Sequence, residues 1–333
     1  MKLRNYNQAQ IDLRDHVLAG TVAMMWGPGG IGKSAIARDV ASDLTVETGN
    51  PWGFIDTRPS LRESVDFRGL PVPDLATGVV RWLQPDDFPR VDRDGEYGVW
   101  MLDEINACSL PVQVALYQLI WDGCLGEYKK PKNWTIACAG NRVSDKAGAL
   151  RMSTALQNRI AHIDVEADHL SWCDWAALNG IHPLMISYIR WRPEMLFKMV
   201  EGARAYPSPR SWTIASRYVT ADRSRRLRLI GQIVGEEAAQ DFEAFADVVG
   251  ELQPVAYILA NPTTANVPTP EKLAAAYATC VAVASNIDKR TAKAGAVYVK
   301  RLAPDFHALF AKLVMMRDPA LAAYGFADLV AAL

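Results

Sequence analysis

Net charge is almost absent from this chain: 36 Lys and Arg oppose 37 Asp and Glu, leaving −1 at pH 7. A protein whose main task is to coat nucleic acid needs a cationic surface, so nucleic acid is not an expected partner. Cysteine is scarce: the five (Cys108, Cys124, Cys138, Cys173, Cys280) are odd in number and show no CxxC spacing. They read as buried free thiols of a reducing compartment, not as metal ligands or a redox pair. No stretch approaches the ~20 apolar residues that span a bilayer, so no membrane association is expected. The first fifteen residues are charged and lack a long apolar run. No signal peptide is expected there, and a cytoplasmic location is. Internal repeats and low-complexity tracts are lacking too. What is present is ample apolar material: half of 333 residues is hydrophobic, enough for two or three packed units.

Strand signals fill the first half. Thr21–Trp26 is a short apolar run that suits a buried parallel strand. After a glycine-rich turn, Ile36, Val40 and Leu44 recur every four residues and mark one face of a helix starting at Lys33. Further strands are predicted at Gly53–Asp56, Tyr97–Leu102, Trp134–Ala139 and Ile160–Val165, alternating with helical segments. That alternation predicts an α/β core with a parallel sheet. From Leu170 onward the signals are helical, at Met185–Trp191, Ser211–Val219, Leu227–Val234 and Phe242–Leu252. Asn261–Pro270 (NPTTANVPTP) reads as a linker. Glu271–Ala284, Ala292–Leu302, Pro304–Met316 and Pro319–Leu333 read as helices beyond it.

Two motifs carry chemistry. Gly27-Pro28-Gly29-Gly30-Ile31-Gly32-Lys33-Ser34 lies between a strand and a helix, the context that makes a glycine-rich run a phosphate-binding loop. Its backbone N–H groups, with that of Ala35, converge on phosphate oxygens at the helix N-terminus. Lys33 reaches the β- and γ-phosphates of ATP, and the Ser34 hydroxyl ligates Mg²⁺. The second motif is Val99-Trp100-Met101-Leu102-Asp103-Glu104. It delivers two carboxylates to the C-terminal end of a buried strand, where ligands sit in open α/β sheets. Asp103 is expected to help hold Mg²⁺ and Glu104 to polarise the attacking water.

These residues resemble an AAA+ ATPase, and more closely its MoxR-like, CbbQ-related branch. Gly27–Ser34 resembles the Walker A motif; Asp103-Glu104-Ile105-Asn106, with Pro111 and Gln113, resembles Walker B and the helix after it. Asp66-Phe67-Arg68-Gly69-Leu70 lies where that family carries an insert in its second helix, and 123–134 where it has a hairpin before the fourth strand. The resemblance covers roughly residues 15–260. It implies an AAA+ P-loop sheet domain at 1–167 (insert 66–89), a helical lid at 168–260 and a helical extension at 271–333. It further implies that Asn141 is sensor 1, Arg159 an arginine finger acting on a neighbouring subunit, and Arg210 sensor 2 on the lid. Arg142 and Arg151 compete with Arg159 for the finger. One departure stands out: Gly140-Asn141-Arg142 replaces the family's usual Gln-Asn-Pro.

By the same resemblance, the expected protein is a ring-forming, hexameric, Mg²⁺-dependent ATPase that remodels a client protein. Its expected partners carry a von Willebrand factor A domain. A slow nucleotide-gated scaffold and a DNA-directed motor are the alternatives. The insert carries Phe67, Leu70, Val72 and Trp82 among prolines and glycines, so it cannot form one regular helix; its apolar groups must pack on the sheet domain or, as the favoured expectation, anchor a client. Other features read as structural. His162, His169 and His182 lack ligand spacing, and Trp82, Trp172, Trp175, Trp191 and Trp212 read as core or subunit interface. The run Arg223–Arg228 reads as the solvated face of an amphipathic helix.

Overall fold

A computed structural model describes residues 6–142, 145, 152, 154–200, 202–250, 252–269 and 272–324. They divide into two compact units, Met1–Glu166 and Ala167–Leu333. Arg151 and residues 325–333, on which some expectations fall, lie outside the described residues.

The first unit runs α1 (Tyr6–Leu18), β1 (Ala23–Trp26), α2 (Lys33–Thr48), β2 (Trp52–Thr57), α3 (Ser64–Arg68), β3 (Leu70–Asp74), β4 (Val79–Leu83), α4 (Val91–Asp94) and β5 (Tyr97–Leu102). It continues with α5 (Leu110–Asp122), β6 (Cys124–Leu125), β7 (Tyr128–Lys129), β8 (Asn133–Gly140), α6 (Thr154–Gln157) and β9 (Ala161–Asp164). Five of these strands form a parallel sheet in the order β2-β5-β8-β1-β9. The α/β parallel core is therefore as expected. β5 and β8 are buried almost end to end, which is why both read as unbroken apolar runs. β2 lies at the sheet edge, half-buried, and its signal in the sequence is correspondingly weak. Register sets the site. Trp26 pairs with both Gly140 and Asp164, and Leu102 pairs with both Cys138 and Thr57. The residues that follow β1, β5, β8 and β9 thus emerge together at one edge, and strand order reverses at β1, where a ligand crevice opens in such sheets.

The insert is a short helix followed by the antiparallel hairpin β3–β4. Pro71 and Pro73 cannot donate to a ladder, so the pairs that exchange hydrogen bonds are Leu70 with Leu83, Val72 with Arg81 and Asp74 with Val79. Phe67 corrects one expectation. It is fully buried, not displayed, with Phe88 6.0 Å away between ring centres, and Phe88 in turn packs on Trp100 and Tyr128 at 4.9 and 5.0 Å. An aromatic cluster of this kind can bury well over 100 Å² per ring, and it fixes both feet of the insert to the sheet unit. The large apolar groups of the insert left exposed are those of the hairpin: Leu70, Val72, Leu75, Val79, Val80 and Leu83.

The second unit is helical: α7 (His169–Leu178), α8 (Pro183–Trp191), α9 (Pro209–Ala215), α10 (Arg223–Val234), α11 (Glu236–Gly250), α12 (Val255–Ala260), α13 (Leu273–Asn286), α14 (Ala292–Val299) and α15 (Asp305–Arg317). The basic run opens α10, where Asp222 caps the helix. One of its arginines, Arg226, is not a solvated charge: it grips the buried Glu243 with both arms of its guanidinium at 2.6 and 2.7 Å. α13 serves two cores. Ala278 packs with Trp212, Tyr188 and Phe242, while Cys280, Val283 and Ala284 pack with Tyr298 and Phe310. Its small side chains leave room for close neighbours on both sides. The segment expected as a linker is irregular but packed: Ala265 is fully buried, and the Asn266 carbonyl accepts from the Tyr298 hydroxyl at 2.8 Å.

Candidate active site

The phosphate loop follows β1 because glycine permits two things there. Gly32 adopts φ 101°, a left-handed conformation that side chains rarely take. At Gly27, a Cβ would lie 2.6 Å from both the Ile31 Cδ1 and the Val165 carbonyl oxygen. α2 begins at Lys33 with no acidic residue in its first turn, so its N-terminal amides and positive dipole end face the loop uncompensated. Ala35 lies in that turn. The Lys33 side chain is buried. Its ammonium donates to the carbonyls of Gly27 and Pro28 at 2.6 and 2.9 Å, and to the Asn141 side-chain oxygen at 3.2 Å. Pro28, Gly29 and Gly30 form the half-exposed rim between these points.

The acids arrive from β5. The Asp103 N–H extends the ladder to Thr57 O at 2.9 Å, and Asp103 Oδ2 accepts from the Ser34 hydroxyl at 2.7 Å. Asp103 Oδ1 accepts from the Glu104 N–H at 2.9 Å. Glu104 has φ 56°, the one non-glycine residue with positive φ among those described. Such a conformation costs of order 1–3 kcal/mol and collects at functional sites. It breaks the strand direction and turns the exposed Glu104 carboxylate toward Ser60, whose hydroxyl donates to it at 3.0 Å. Ser60 sits on a turn after β2, and no sequence signal marks it. Asp56, at the end of β2, was likewise not singled out. Partial burial, then the nearby charge of Asp103, raises its carboxyl above the ordinary carboxylate value. A hard cation is favoured by oxygen donors of this type, and Ser34 with Asp103 supply a hydroxyl and a carboxylate already in contact. The donor set fits Mg²⁺.

Asn141 is held from several sides. Its carbonyl accepts from the Asn106 side-chain amide at 2.7 Å, so the turn that follows β5 and the residue after β8 are tied together. Next to it, Arg142 donates from Nε to Asp164 Oδ1 at 2.9 Å and from one terminal nitrogen to the carbonyls of Trp26 and Val165, each at 3.3 Å. Arg142 is thus engaged within its own subunit, which argues against it as a finger toward a neighbour.

Arg159 follows α6. Its guanidinium lies 4.5 Å from the ring centres of both Tyr117 and Trp121, one turn apart on α5. Trp121 is largely exposed, and an open cavity of about 610 Å³ is lined by Trp121, Thr154, Asn158 and Arg159. His162, read from sequence as ordinary packing, has a specific role in this region. The Trp26 indole donates to its Nδ1 at 2.8 Å, and its Nε2 meets the Gln157 carbonyl at 2.9 Å. Two such partners require the neutral ring with its proton on Nε2. The ring therefore connects the root of the phosphate loop with the segment that carries Arg159. Arg210 is exposed on the first turn of α9, where Ser208 and Ser211 cap each other reciprocally. It belongs to the helical unit.

All five cysteines are free, and four are buried. Burial pushes the Cys108 thiol up to about 11, away from the range of a reactive thiolate. No cluster of three or more His, Cys, Asp or Glu able to hold a metal occurs among the described residues, and no described helix is long and apolar enough to cross a membrane.

No family model matches the chain, and no curated protein sequence matches it. Among solved structures it is similar to a RuvB variant from Thermotoga maritima, with 16% identity over 81% of each chain and a TM-score of 0.38. It is also similar to NtrX from Brucella abortus, with 13% identity over 98% of this chain and 67% of that one and a TM-score of 0.36. A closed-state reconstruction of Hsp104 with ATPγS and FITC casein shares 17% identity over 67% of this chain and 42% of that one, with a TM-score of 0.38. These likenesses are loose, and the reading of the site rests on its own geometry. By fold, the chain is an α/β protein in which a glycine-rich loop joins the first sheet strand to a helix, and a helical unit follows the parallel sheet unit.

Proposed function

We propose that the chain is an Mg²⁺-dependent ATPase of the MoxR type, acting in a ring of identical subunits on a client protein. The observation that carries the ATPase reading is a pair of side-chain hydrogen bonds at the carboxyl edge of the sheet, Lys33 to Asn141 and Ser34 to Asp103, on the two adjacent residues that open α2. In this reading Gly27–Ala35 and Lys33 bind the phosphates, and Asn141 and Glu104 orient and polarise the attacking water. Ser34 and Asp103 would hold Mg²⁺, which when bound neutralises charge on the phosphate oxygens. Arg159 reaches a neighbouring subunit's nucleotide, and Arg210, on a lid at 168–260, touches the γ-phosphate. The extension at 271–333 follows the lid. A partner with a von Willebrand factor A domain is supported by the resemblance at Asp103–Asn106 and at the insert. The hairpin β3–β4 supports a client-facing role, because it exposes Leu70, Leu75, Val79, Val80 and Leu83 while Phe67 and Phe88 anchor its base.

The test is ATP turnover by the purified protein, with and without Mg²⁺, beside Lys33→Ala. Wild type is expected to hydrolyse ATP only with the metal, and Lys33→Ala is expected to lose nucleotide binding. ATP affinity unchanged in Lys33→Ala would remove the phosphate-loop assignment. Stimulation of turnover by DNA would favour a motor instead.

A further inference from the structure

We infer that Arg142 is a positioning residue for hydrolysis: it holds Asn141 against the phosphate loop by clamping the peptide group at the loop's root. This rests on the ATPase reading above and adds a residue that the resemblance does not supply, since the family's usual residue at this position is proline.

The argument starts from one peptide bond, Trp26–Gly27, where β1 passes into the loop. Its carbonyl accepts from the Arg142 guanidinium at 3.3 Å, and its N–H donates to the Gly140 carbonyl at 3.2 Å. Residues 140 and 142 therefore grip the two polar ends of a single peptide group, and Asn141 lies between them. From that position the Asn141 side chain meets Lys33, while Lys33 also binds the carbonyl of Gly27 itself. A displacement of residue 142 is passed through one covalent step to the group that faces the phosphates.

Other tethers make the grip stiff. The Arg142 backbone N–H donates to Asp145 Oδ2 at 2.7 Å, and Asp145 N–H returns a bond to the Arg142 carbonyl at 3.0 Å. Its guanidinium spans Asp164 and Val165 at the end of β9 as well as Trp26. The planar guanidinium fork presents donors in fixed directions to a carboxylate on one side and two carbonyls on another, whereas a lysine offers one compact point charge. Asp164 is mostly shielded from water beside it, so the pair is more than a solvated surface contact. A proline in place of Arg142 would restrict the loop through its ring; here the restriction comes from side-chain hydrogen bonds, and it ties the loop to β1 and β9. Such preorganisation acts on the transition state, where misplacement of a positioning group lowers turnover more than ground-state binding.

The experiment compares wild type, Glu104→Gln, Arg142→Met, Arg142→Lys and Asp164→Asn by steady-state ATP turnover, direct ATP binding and thermal unfolding. Arg142→Met is expected to lower kcat about tenfold or more, with ATP affinity within about threefold of wild type and a folded protein. Arg142→Lys should recover part of the loss, and Asp164→Asn should lose less than Arg142→Met because two carbonyl acceptors stay in place. A kcat for Arg142→Met within about threefold of wild type overturns the inference, provided wild type turns over and Glu104→Gln does not. Parallel losses of kcat, affinity and Tm, with no recovery in Arg142→Lys, also overturn it by showing a structural role only. A wild-type protein without turnover overturns the ATPase reading, and this inference with it.

Discussion

The side-chain oxygen of Asn141 accepts a hydrogen bond from the Lys33 ammonium at 3.2 Å, joining the end of β8 to the start of α2 across more than a hundred residues. The same ammonium also donates to the carbonyls of Gly27 and Pro28, so under the proposed reading a bound phosphate would exchange those bonds for charge-assisted ones.

Glu104→Gln is expected to bind ATP and Mg²⁺ as wild type does and to hydrolyse at least about a hundredfold more slowly, the lower range for loss of a general base. The amide keeps a partner for Ser60, so the left-handed turn at residue 104 should persist. Turnover within about threefold of wild type, in a steady-state assay, would assign water activation elsewhere.

Arg159→Ala should leave ATP binding intact and reduce hydrolysis by about a thousandfold, as loss of an arginine finger does. Mixing it with Lys33→Ala subunits should restore part of the activity, because the latter still offer Arg159 to a neighbour. Arg159 rests between Tyr117 and the exposed Trp121, so its departure toward a neighbour should change Trp121 fluorescence. No recovery at any mixing ratio would leave Arg159 as a structural residue stacked on α5.

Glu243→Gln tests the helical unit. Glu243 is almost completely buried and meets Arg226 bidentately. Removing its charge leaves a guanidinium that is itself mostly buried without a counterion, which typically costs about 3–5 kcal/mol. Urea unfolding followed by circular dichroism should show that loss, and the double change Arg226→Met with Glu243→Leu should restore much of it. A loss below about 1 kcal/mol in Glu243→Gln would mean that water reaches the pair.

His182 should make stability depend on pH. Its Nδ1 accepts the Leu184 N–H at 3.2 Å and caps α8. Burial, and then the charge of Arg226, lowers its pKa below the ordinary value, near 6.5. The unfolded chain therefore binds the proton first as pH falls. Stability contributed by the neutral ring is complete above about 6.5 and is lost as pH drops through the lowered folded value. His182→Asn keeps a capping oxygen that does not titrate, so its Tm should vary less between pH 7 and pH 5 than that of wild type. Identical Tm profiles would remove this residue as the source.

The client-facing reading of the insert has a sharper test now that Phe67 is known to lie in the core. Replacing 71–82 with a short Gly/Ser turn leaves Phe67 and Phe88 in place. That variant should fold, assemble and keep its basal turnover while losing stimulation by a client. Loss of basal turnover or of assembly would return the hairpin to a structural role.

What the sequence determined by itself is short in range. Gly27–Ser34 writes its own loop, because positive φ at Gly32 demands glycine, and the strand–glycine-rich turn–helix pattern around Lys33 is legible from neighbouring residues alone. Tyr97–Leu102 could be placed to the residue because a strand buried on both faces must be apolar throughout. Tertiary structure decided everything that depends on register between strands far apart in the chain. Pairing of Trp26 with Gly140 and Asp164 is what brings Arg142 to the peptide at the loop's root, and no local pattern encodes that pairing. Ser60 meets Glu104 only because β2 and β5 are neighbours and Glu104 turns left-handed. Phe67 reads as a surface anchor because its own segment has no core, but in the fold it packs against Phe88, which in turn meets Trp100 and Tyr128. Hydrophobicity requires that such a ring be buried somewhere, and only the folded chain specifies against what.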